Sequence, residues 1–280
     1  MEELSPNLDQ ATYWTQSAGP TWVELNDDLD RQIAPLGAAA IAALAPKPGE
    51  RIIDIGCGCG QTVLALAEAV GPQGRVLGVD ISEPMLAVAR GKAEAAGAGA
   101  VQFLEADAQV CAFDSGAADA AFSRFGVMFF ADPVAAFANV RRALKRGGRI
   151  AFLCWRGMQE NPWMTIPLSA GLKHFPPRPP PEPDAPGPFA FADGERVRGL
   201  LTAAGFSDVA VRAHGQKIGN DPAASLRMAL RVGPLGALLR DYPEAREAVE
   251  ADVRVALAAH VVDGQVTMDS ATWIVTARNR

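Results

Sequence analysis

One stretch, Arg51-Ile52-Ile53-Asp54-Ile55-Gly56-Cys57-Gly58-Cys59-Gly60, restricts the fold of this chain more than any other. Apolar residues of strand length run into glycines at alternate positions. The run that follows, Thr62-Val63-Leu64-Ala65-Leu66-Ala67, reads as a helix. Glycine lacks a Cβ, so it takes up positive φ and leaves bare backbone for a ligand to lie against. Strand, glycine turn and helix, in that order, open a doubly wound α/β sheet, and the turn is where such sheets cradle a phosphate or cofactor. Asp80 closes the next strand, Arg75–Val79, about where a ribose-binding carboxylate belongs.

The spacing narrows the ligand. A dinucleotide fold uses G-x-G-x-x-G, and its third glycine permits tight helix–strand packing. Here the spacing is G-x-G-x-G, and Gln61 stands where that third glycine would fall. An acidic residue, Asp54, sits two places before the first glycine. A carboxylate beside the loop suits a cationic ligand better than a pyrophosphate.

At 280 residues the chain is long enough for one large domain with insertions. Its net charge of −6 and isoelectric point of about 5.2 are the reverse of the basic footprint that nucleic-acid binding leaves. The basic run Arg141, Arg142, Lys145, Arg146 and Arg149 falls at a helix C-terminus, where dipole complementarity accounts for it. Cys57, Cys59, Cys111 and Cys154 are too sparse for a disulfide scaffold. No His or Cys pair completes a metal site around Cys57 and Cys59, so no metal is expected. No apolar run approaches the ~20 residues that span a bilayer. Met1-Glu2-Glu3 is too acidic for a transit peptide, and the expected location is the reducing cytoplasm.

The pattern divides the chain. Residues 1–48 form an N-terminal helical lid, with Tyr13-Trp14, Gly19-Pro20 and Trp22 ahead of a helix from about Leu25 to Leu44. Residues 49–155 form the core, in which strands Arg51–Ile55, Arg75–Val79, Val101–Glu105, Ala118–Ser123 and Arg149–Trp155 alternate with helices. Such alternation argues for a parallel sheet. Ser82 is expected to cap the second core helix. Residues 156–192 are a Pro-rich cap insertion, running from Pro162 through Pro179, Pro180, Pro181 and Pro183 to Pro188, with a short helix capped by Asn161. Residues 193–220 continue the core with a helix capped by Asp193 and a strand from Val209 to about Ile218. Residues 221–262 are a helical cap insertion broken at Gly233-Pro234 and Tyr242-Pro243, and residues 263–280 carry the final strand, Thr272–Ala277. The expected fold is a Rossmann-like α/β architecture. Its seven-stranded sheet is mostly parallel with the last strand antiparallel, helices cover both faces, and a helical and Pro-rich cap is added.

The stretches IIDIGCGCGQT, GVDISEPMLAVAR and RRALKRGGRIAFLCW resemble the class I S-adenosylmethionine-dependent (SAM-dependent) methyltransferases. The resemblance is to the bacterial small-molecule type, similar to the ubiquinone/menaquinone-biosynthesis C-methyltransferases. The opening YWTQSAGPTWVELNDDLDRQIAPLG and the closing TWIVTAR look like the same group. The resemblance implies SAM as cofactor and S-adenosyl-L-homocysteine as its product. It further implies that Gly56, Cys57, Gly58 and Gly60 supply loop backbone around the methionine end and ribose, with Asp54 near the amino group. Asp80 would accept from the ribose hydroxyls, Ile81 and Met85 would lie against adenine, and Asp107 would accept from the adenine amine with Ala108 beside it. Ser123 and Arg124 would line the space between cofactor and acceptor. Diol and amine donors call for carboxylate acceptors, whose charge strengthens the hydrogen bonds. Ser123-Arg124-Phe125-Gly126 lacks both the (Asp/Asn/Ser)-Pro-Pro-(Tyr/Phe) motif of adenine- and amide-methylating enzymes and the Pro-Cys of cytosine C5 enzymes.

Methyl transfer from a sulfonium is an in-line displacement with a pre-activated leaving group, so alignment and desolvation supply most of the acceleration. A base is needed only for a hydroxyl or an activated carbon. His174, at the end of the cap helix, is the candidate. His260 shares a helical face with Val249, Val253 and Leu257 and reads as packed, and nothing recommends His214. Trp155, at the carboxyl end of strand five, and Trp163 are expected to line the acceptor mouth, with Trp14 and Trp22 folded over it. Such a pocket suits a flat, apolar, phenol- or quinol-like acceptor, methylated on oxygen or carbon. The alternatives are a nitrogen or sulfur acceptor, a SAM-binding protein without transferase activity, and a dinucleotide-dependent oxidoreductase. The implied partner is a small-molecule substrate; a homodimer is left open.

Overall fold

The computed structural model describes residues 7–178, 182 and 185–280. Pro179, Pro180, Pro181 and Pro183 of the cap, and the first six residues of the lid, lie outside that set. The strands are β1 Arg51–Ile55, β2 Arg75–Asp80, β3 Val101–Glu105, β4 Ala118–Arg124, β5 Leu144–Trp155, β6 Ser207–Asn220, β7 Val261–Val262 and β8 Gln265–Arg278. The sheet order is β3-β2-β1-β4-β5-β8-β6, with the short β7 paired to β8. Strands β1 to β5 pair in parallel, and β8 runs antiparallel to both β5 and β6. Central strands of such a sheet are covered on both faces and read as near-continuous apolar runs. Strand β4 shows this: Ala120, Ala121 and Phe122 are all fully buried.

The helices are α1 Leu8–Thr12, α2 Ala18–Glu24, α3 Asn26–Leu44, α4 Gln61–Val70, α5 Glu83–Ala95, α6 Pro133–Ala143, α7 Pro162–Gly171, α8 Gly194–Ala203, α9 Pro222–Ala229, α10 Gly233–Asp241 and α11 Arg246–Ala258. A π-helical turn, Tyr13–Ser17, joins the first two. The main core gathers Phe122, Phe137, Phe152 and Phe191 around the sheet. A second core, in the cap, gathers Phe175, Leu235, Val249, Val253 and Leu257.

Strand order reverses between β1 and β4, because the chain builds outward to β3 and then returns to the other side of β1. Their carboxyl ends therefore flank the switch point, where open α/β sheets bind ligands. The glycine loop follows β1, and Phe125-Gly126 follows β4.

Several local expectations are corrected. The final strand starts at Gln265, seven residues before Thr272, and pairs along nearly its whole length with β6. The cap helices α9 to α11 are thus an excursion between two paired strands, and Val261–Val262 belongs to a hairpin rather than to the helical insertion. Strand β5 begins at Leu144, so Lys145 and Arg146 are strand residues. The basic run is spent on specific partners: Arg149 pairs with Glu50, Lys145 with Asp119, and Arg141 donates to the Ala204 carbonyl. Ser82 holds the N-cap position of α5, but its hydroxyl donates to the Trp14 carbonyl at 2.8 Å. Asn161 likewise precedes α7 and spends its side chain elsewhere, exchanging hydrogen bonds with both backbone groups of Ala271 on β8. His260 lies beyond the end of α11, in the turn to β7, rather than on the helix face.

Candidate active site

The glycine loop is shaped first by its protein neighbours. Gly56, Gly58 and Gly60 have φ of +65°, +55° and +83°. A Cβ on Gly56 would stand 2.7 Å from the Cα of Gly126, and one on Gly60 would stand 2.8 Å from the Cβ of Ala89 on α5. One on Gly58 would meet the end of Met85, which is buried against it. Two backbones thus touch at the switch point, and both turns there need glycine.

Asp80 is buried at the end of β2 and organises this loop. It accepts from the amide of Gly58 at 2.7 Å and from that of Ser82 at 2.9 Å. Burial raises its pKa, against the lowering effect of those amides. Asp54 is fully buried, one residue from the carboxyl end of β1. One of its oxygens accepts from the Thr62 hydroxyl at 2.5 Å, while Oδ1 is buried with no partner among the described residues. Burial pushes its pKa to about 7, against the Thr62 bond and the Arg124 charge. Burial also pushes the Cys57 thiol well up and that of Cys59 to about 12, so both remain thiols.

Ser123 donates to the Ile55 carbonyl at 2.7 Å and accepts from the Gly126 amide, tying the ends of β1 and β4 together. Arg124 donates to Gln61, the first residue of α4, and to Asp30 of α3 at 2.9 Å. Asp30 also pairs with Lys92 of α5. Phe125 is a non-glycine residue at φ +66°, a conformation that costs on the order of 1–3 kcal/mol and clusters at functional sites. It is held there by its amide bond to the Leu153 carbonyl and by stacking on Trp155, with centroids 4.1 Å apart and planes 10° apart.

The N-terminal lid lies over the other side. Asn7 donates its amide to both oxygens of Asp107 at 2.9 Å and to Gln109, and accepts from the Ala131 amide. Ala108 is buried beside them, and its carbonyl accepts from Asn139. Trp14 packs edge-on against Phe129 and Trp22. The lid is also pinned to the cap, by Glu24 to Arg231 and Asp28 to Arg227.

The four expected acceptor tryptophans separate into two groups. Trp155 and Trp163 are neighbours at 5.1 Å. Trp14 joins Tyr13, Trp22 and Phe129, and no ring contact among the described residues links it to the other pair. Trp163 lines a cavity of about 40 Å³ under the cap, together with Gln32 of α3, Met164 and Pro167 of α7, Met228 of α9 and Met268 of β8. By the usual water-sized measure that holds a few waters. His174 is not part of its wall; its Nε2 lies 2.6 Å from Asp252 on α11.

Sequence reasoning missed Asn7, Asp30, Gln32, Thr62 and Gly126. Thr62 follows from its place, at the start of α4 and eight residues past a carboxylate that needs a donor. Asn7 and Asp30 meet partners 100 and 94 residues away, and no local pattern announces them.

Residues 52–148 match the family described as "Methyltransferase domain". The chain is 30% identical over 273 residues to the nocamycin O-methyltransferase of Saccharothrix syringae, covering 88% of this chain and 91% of that one. The chain belongs to the class I SAM-dependent methyltransferases. As in the rest of that family, the methyl donor is S-adenosylmethionine. The aklanonic acid methyltransferase of Streptomyces sp. (strain C5) is 37% identical over 118 residues, and there the match spans 42% of this chain and about half, 54%, of the relative. The crystal structure of a SAM-dependent methyltransferase from Aquifex aeolicus superposes with a TM-score of 0.51 at 14% identity, over 99% of this chain and 100% of the other. That likeness agrees with the methyltransferase fold. No helix among the described residues is long and apolar enough to cross a membrane.

Proposed function

We propose that this methyltransferase transfers the methyl group of SAM to a small, apolar, ring-containing acceptor of phenol or quinol type, on oxygen or carbon. The observation that carries the reading is a continuous path. Gly56 touches Gly126, Phe125 stacks on Trp155, and Trp155 meets Trp163, which lines the cap cavity. The cofactor loop and an apolar cavity are thus joined by an aromatic partition, and the methyl-bearing end belongs at that junction.

The residues on the donor side fit the cofactor. The unpartnered Oδ1 of Asp54 is a buried carboxylate oxygen waiting for a cationic donor, which an α-ammonium supplies. In this reading the loop Gly56–Gly60 holds the amino-acid end, Asp80 the ribose, Ile81 and Met85 the adenine faces, and Asp107 with Ala108 the adenine edge. The bound cofactor supplies a methyl group already activated by a sulfonium. The chain's own part is to exclude water with the Phe125–Trp155–Trp163 partition and to align the acceptor. Arg124, fixed between Gln61 and Asp30, holds positive charge at the junction. His174 is held by Asp252 away from the cavity wall, and the transfer does not depend on it.

The division into lid, core and two cap insertions serves this reading, as do a small-molecule rather than nucleic-acid partner and a cytoplasmic setting. The net charge of −6 and the four cysteines without a disulfide support them. The relatives point the same way, since nocamycin and aklanonic acid are what two of them are named for. A panel of phenols, quinols, peptides and RNA, assayed with methyl-labelled SAM, tests the proposal. Label in peptide or RNA and in no small ring compound would sink it. Tight SAM binding with no methylated product of any class would favour a binding protein instead.

A further inference from the structure

Trp163 is a costly choice for its position. Its indole Nε1 is buried and has no hydrogen-bond partner among the described residues. Leaving a buried donor unpaired costs about 1–3 kcal/mol. The contact with Trp155, 5.1 Å between centroids and tilted by 48°, needs a ring and not an N–H. Phenylalanine would supply that contact without the penalty. The cavity wall around it is nearly all hydrocarbon and thioether, from Met164, Pro167, Met228 and Met268. Of its polar side chains, Ser225 already donates to the Asn220 carbonyl, which leaves the buried Gln32 carboxamide of α3 as the other group able to meet a polar ligand. Buried orphan donors in folded proteins call for an explanation, and a ligand is one.

We infer that the Trp163 Nε1–H is the hydrogen-bond donor to an oxygen of the bound methyl acceptor, and that it selects ring compounds carrying that oxygen over equal-sized ones without it. The inference rests on the cavity being the acceptor site and on its methionine-lined wall giving way to admit a ring, since the closed cavity of about 40 Å³ holds only a few waters. The oxygen it holds is a neighbour of the methylated atom. A donor placed on the attacking lone pair would blunt the nucleophile, whereas one placed on an adjacent carbonyl or enolate oxygen stabilises charge without blocking attack. The selected class is therefore apolar ring compounds with a carbonyl, enolate or second phenolic oxygen beside the methylated position.

The test uses the full-length protein with two small probes of matched shape, acetophenone and ethylbenzene. The tryptophan indole N–H signals are followed by nitrogen-15 NMR, and Trp163→Phe identifies the signal concerned by its loss. Acetophenone is expected to move the Trp163 signal downfield, and ethylbenzene to leave it in place. The acetophenone-to-ethylbenzene affinity ratio is expected to fall about tenfold in Trp163→Phe, the worth of one such hydrogen bond. If acetophenone binds in the cavity while the signal and the ratio stay unchanged, the donor role is wrong and the acceptor site stands. If neither probe perturbs any cap residue at saturation, the site and the inference fall together. Should Trp163→Phe not fold, the response of the wild-type signal nearest Trp155 decides by itself.

Discussion

Around the glycine loop, polar side chains are held by short bonds: Asp80 by two backbone amides, Asp54 by Thr62, Arg124 by Gln61 and Asp30. Under the cap the walls are Met164, Met228, Met268, Ile218 and Leu257, which set a volume and few directions. Methionine is flexible and polarisable and accommodates irregular shapes. In the proposed reading the loop region, the donor half, holds one ligand in one pose, and the cap half admits a shape. The two should therefore respond to substitution in opposite ways.

Asp80→Ala is the sharpest test of the donor half. It removes charge-assisted bonds to Gly58 of the loop and to Ser82 ahead of α5, and in the proposed reading the acceptor for the ribose. SAM affinity, by calorimetry, should fall about a thousandfold, ~4 kcal/mol. Met228→Leu, a volume-conserving change in the cap wall, should leave SAM affinity alone and alter which acceptors turn over. Equal losses from both would dissolve the distinction.

The loop's rigidity is open to a matched pair of glycines. Gly56 and Gly97 both have positive φ, +65° and +61°, but a Cβ at Gly97 meets nothing within 4 Å. Gly97→Ala should cost about 1 kcal/mol for left-handed backbone alone. Gly56→Ala adds the clash with the Gly126 backbone and should cost about 3 kcal/mol by denaturant unfolding. Similar losses would show that the β1–β4 junction yields.

The same contrast explains what could be read from the residues. The parallel core was legible because its strands are unbroken apolar runs ending in a glycine turn. So was Asp193, which accepts from the amides of Glu195 and Arg196 as a capping residue should. The extent of β8 was not, whereas β6, expected from Val209 to about Ile218, runs from Ser207 to Asn220. The first half of β8, Val266 to Ala271 opposite Gly215 to Asn220, carries Thr267, Asp269 and Ser270 and lies beyond the reach of β5, so only its pairing with β6 turns it into strand. Ser82 and Asn161 occupy N-cap positions, but distant chain competed for their side chains and won. Phe125 at positive φ breaks a local rule, and its reason lies in Trp155, 30 residues on.

Asp54 ties the donor half to pH. Its pKa is raised from 3.8 to about 7 in the folded chain, so without ligand its contribution to stability declines as pH rises through that window and levels off above it. The full span is worth about 4 kcal/mol. A bound ammonium favours the carboxylate, so binding at low pH must first release its proton. SAM dissociation constants should rise about eightfold from pH 7.5 to pH 6. Asp54→Asn should flatten that slope, and a slope that survived the substitution would assign the proton elsewhere.

The smallest effect concerns the lid. Asn7 donates to both oxygens of Asp107, the carboxylate expected to receive the adenine amine. Asn7 and the Gln109 amide already donate to it, and in the proposed reading an adenine amine joins them. In that arrangement Asn7 orients Asp107 for the ligand, and Asn7→Ala should weaken S-adenosylhomocysteine binding about fivefold, the worth of one modest hydrogen bond. Tighter binding in Asn7→Ala would mean that the amide stands in the adenine's place and must leave before the nucleoside enters. Either result bears on the comparison. The lid reaches Asp107 through Asn7 and the cap through Glu24 and Asp28, so it is a covering element with polar anchors on both halves. A loss of affinity in Asn7→Ala without loss of acceptor range would show that the lid's two ends act separately.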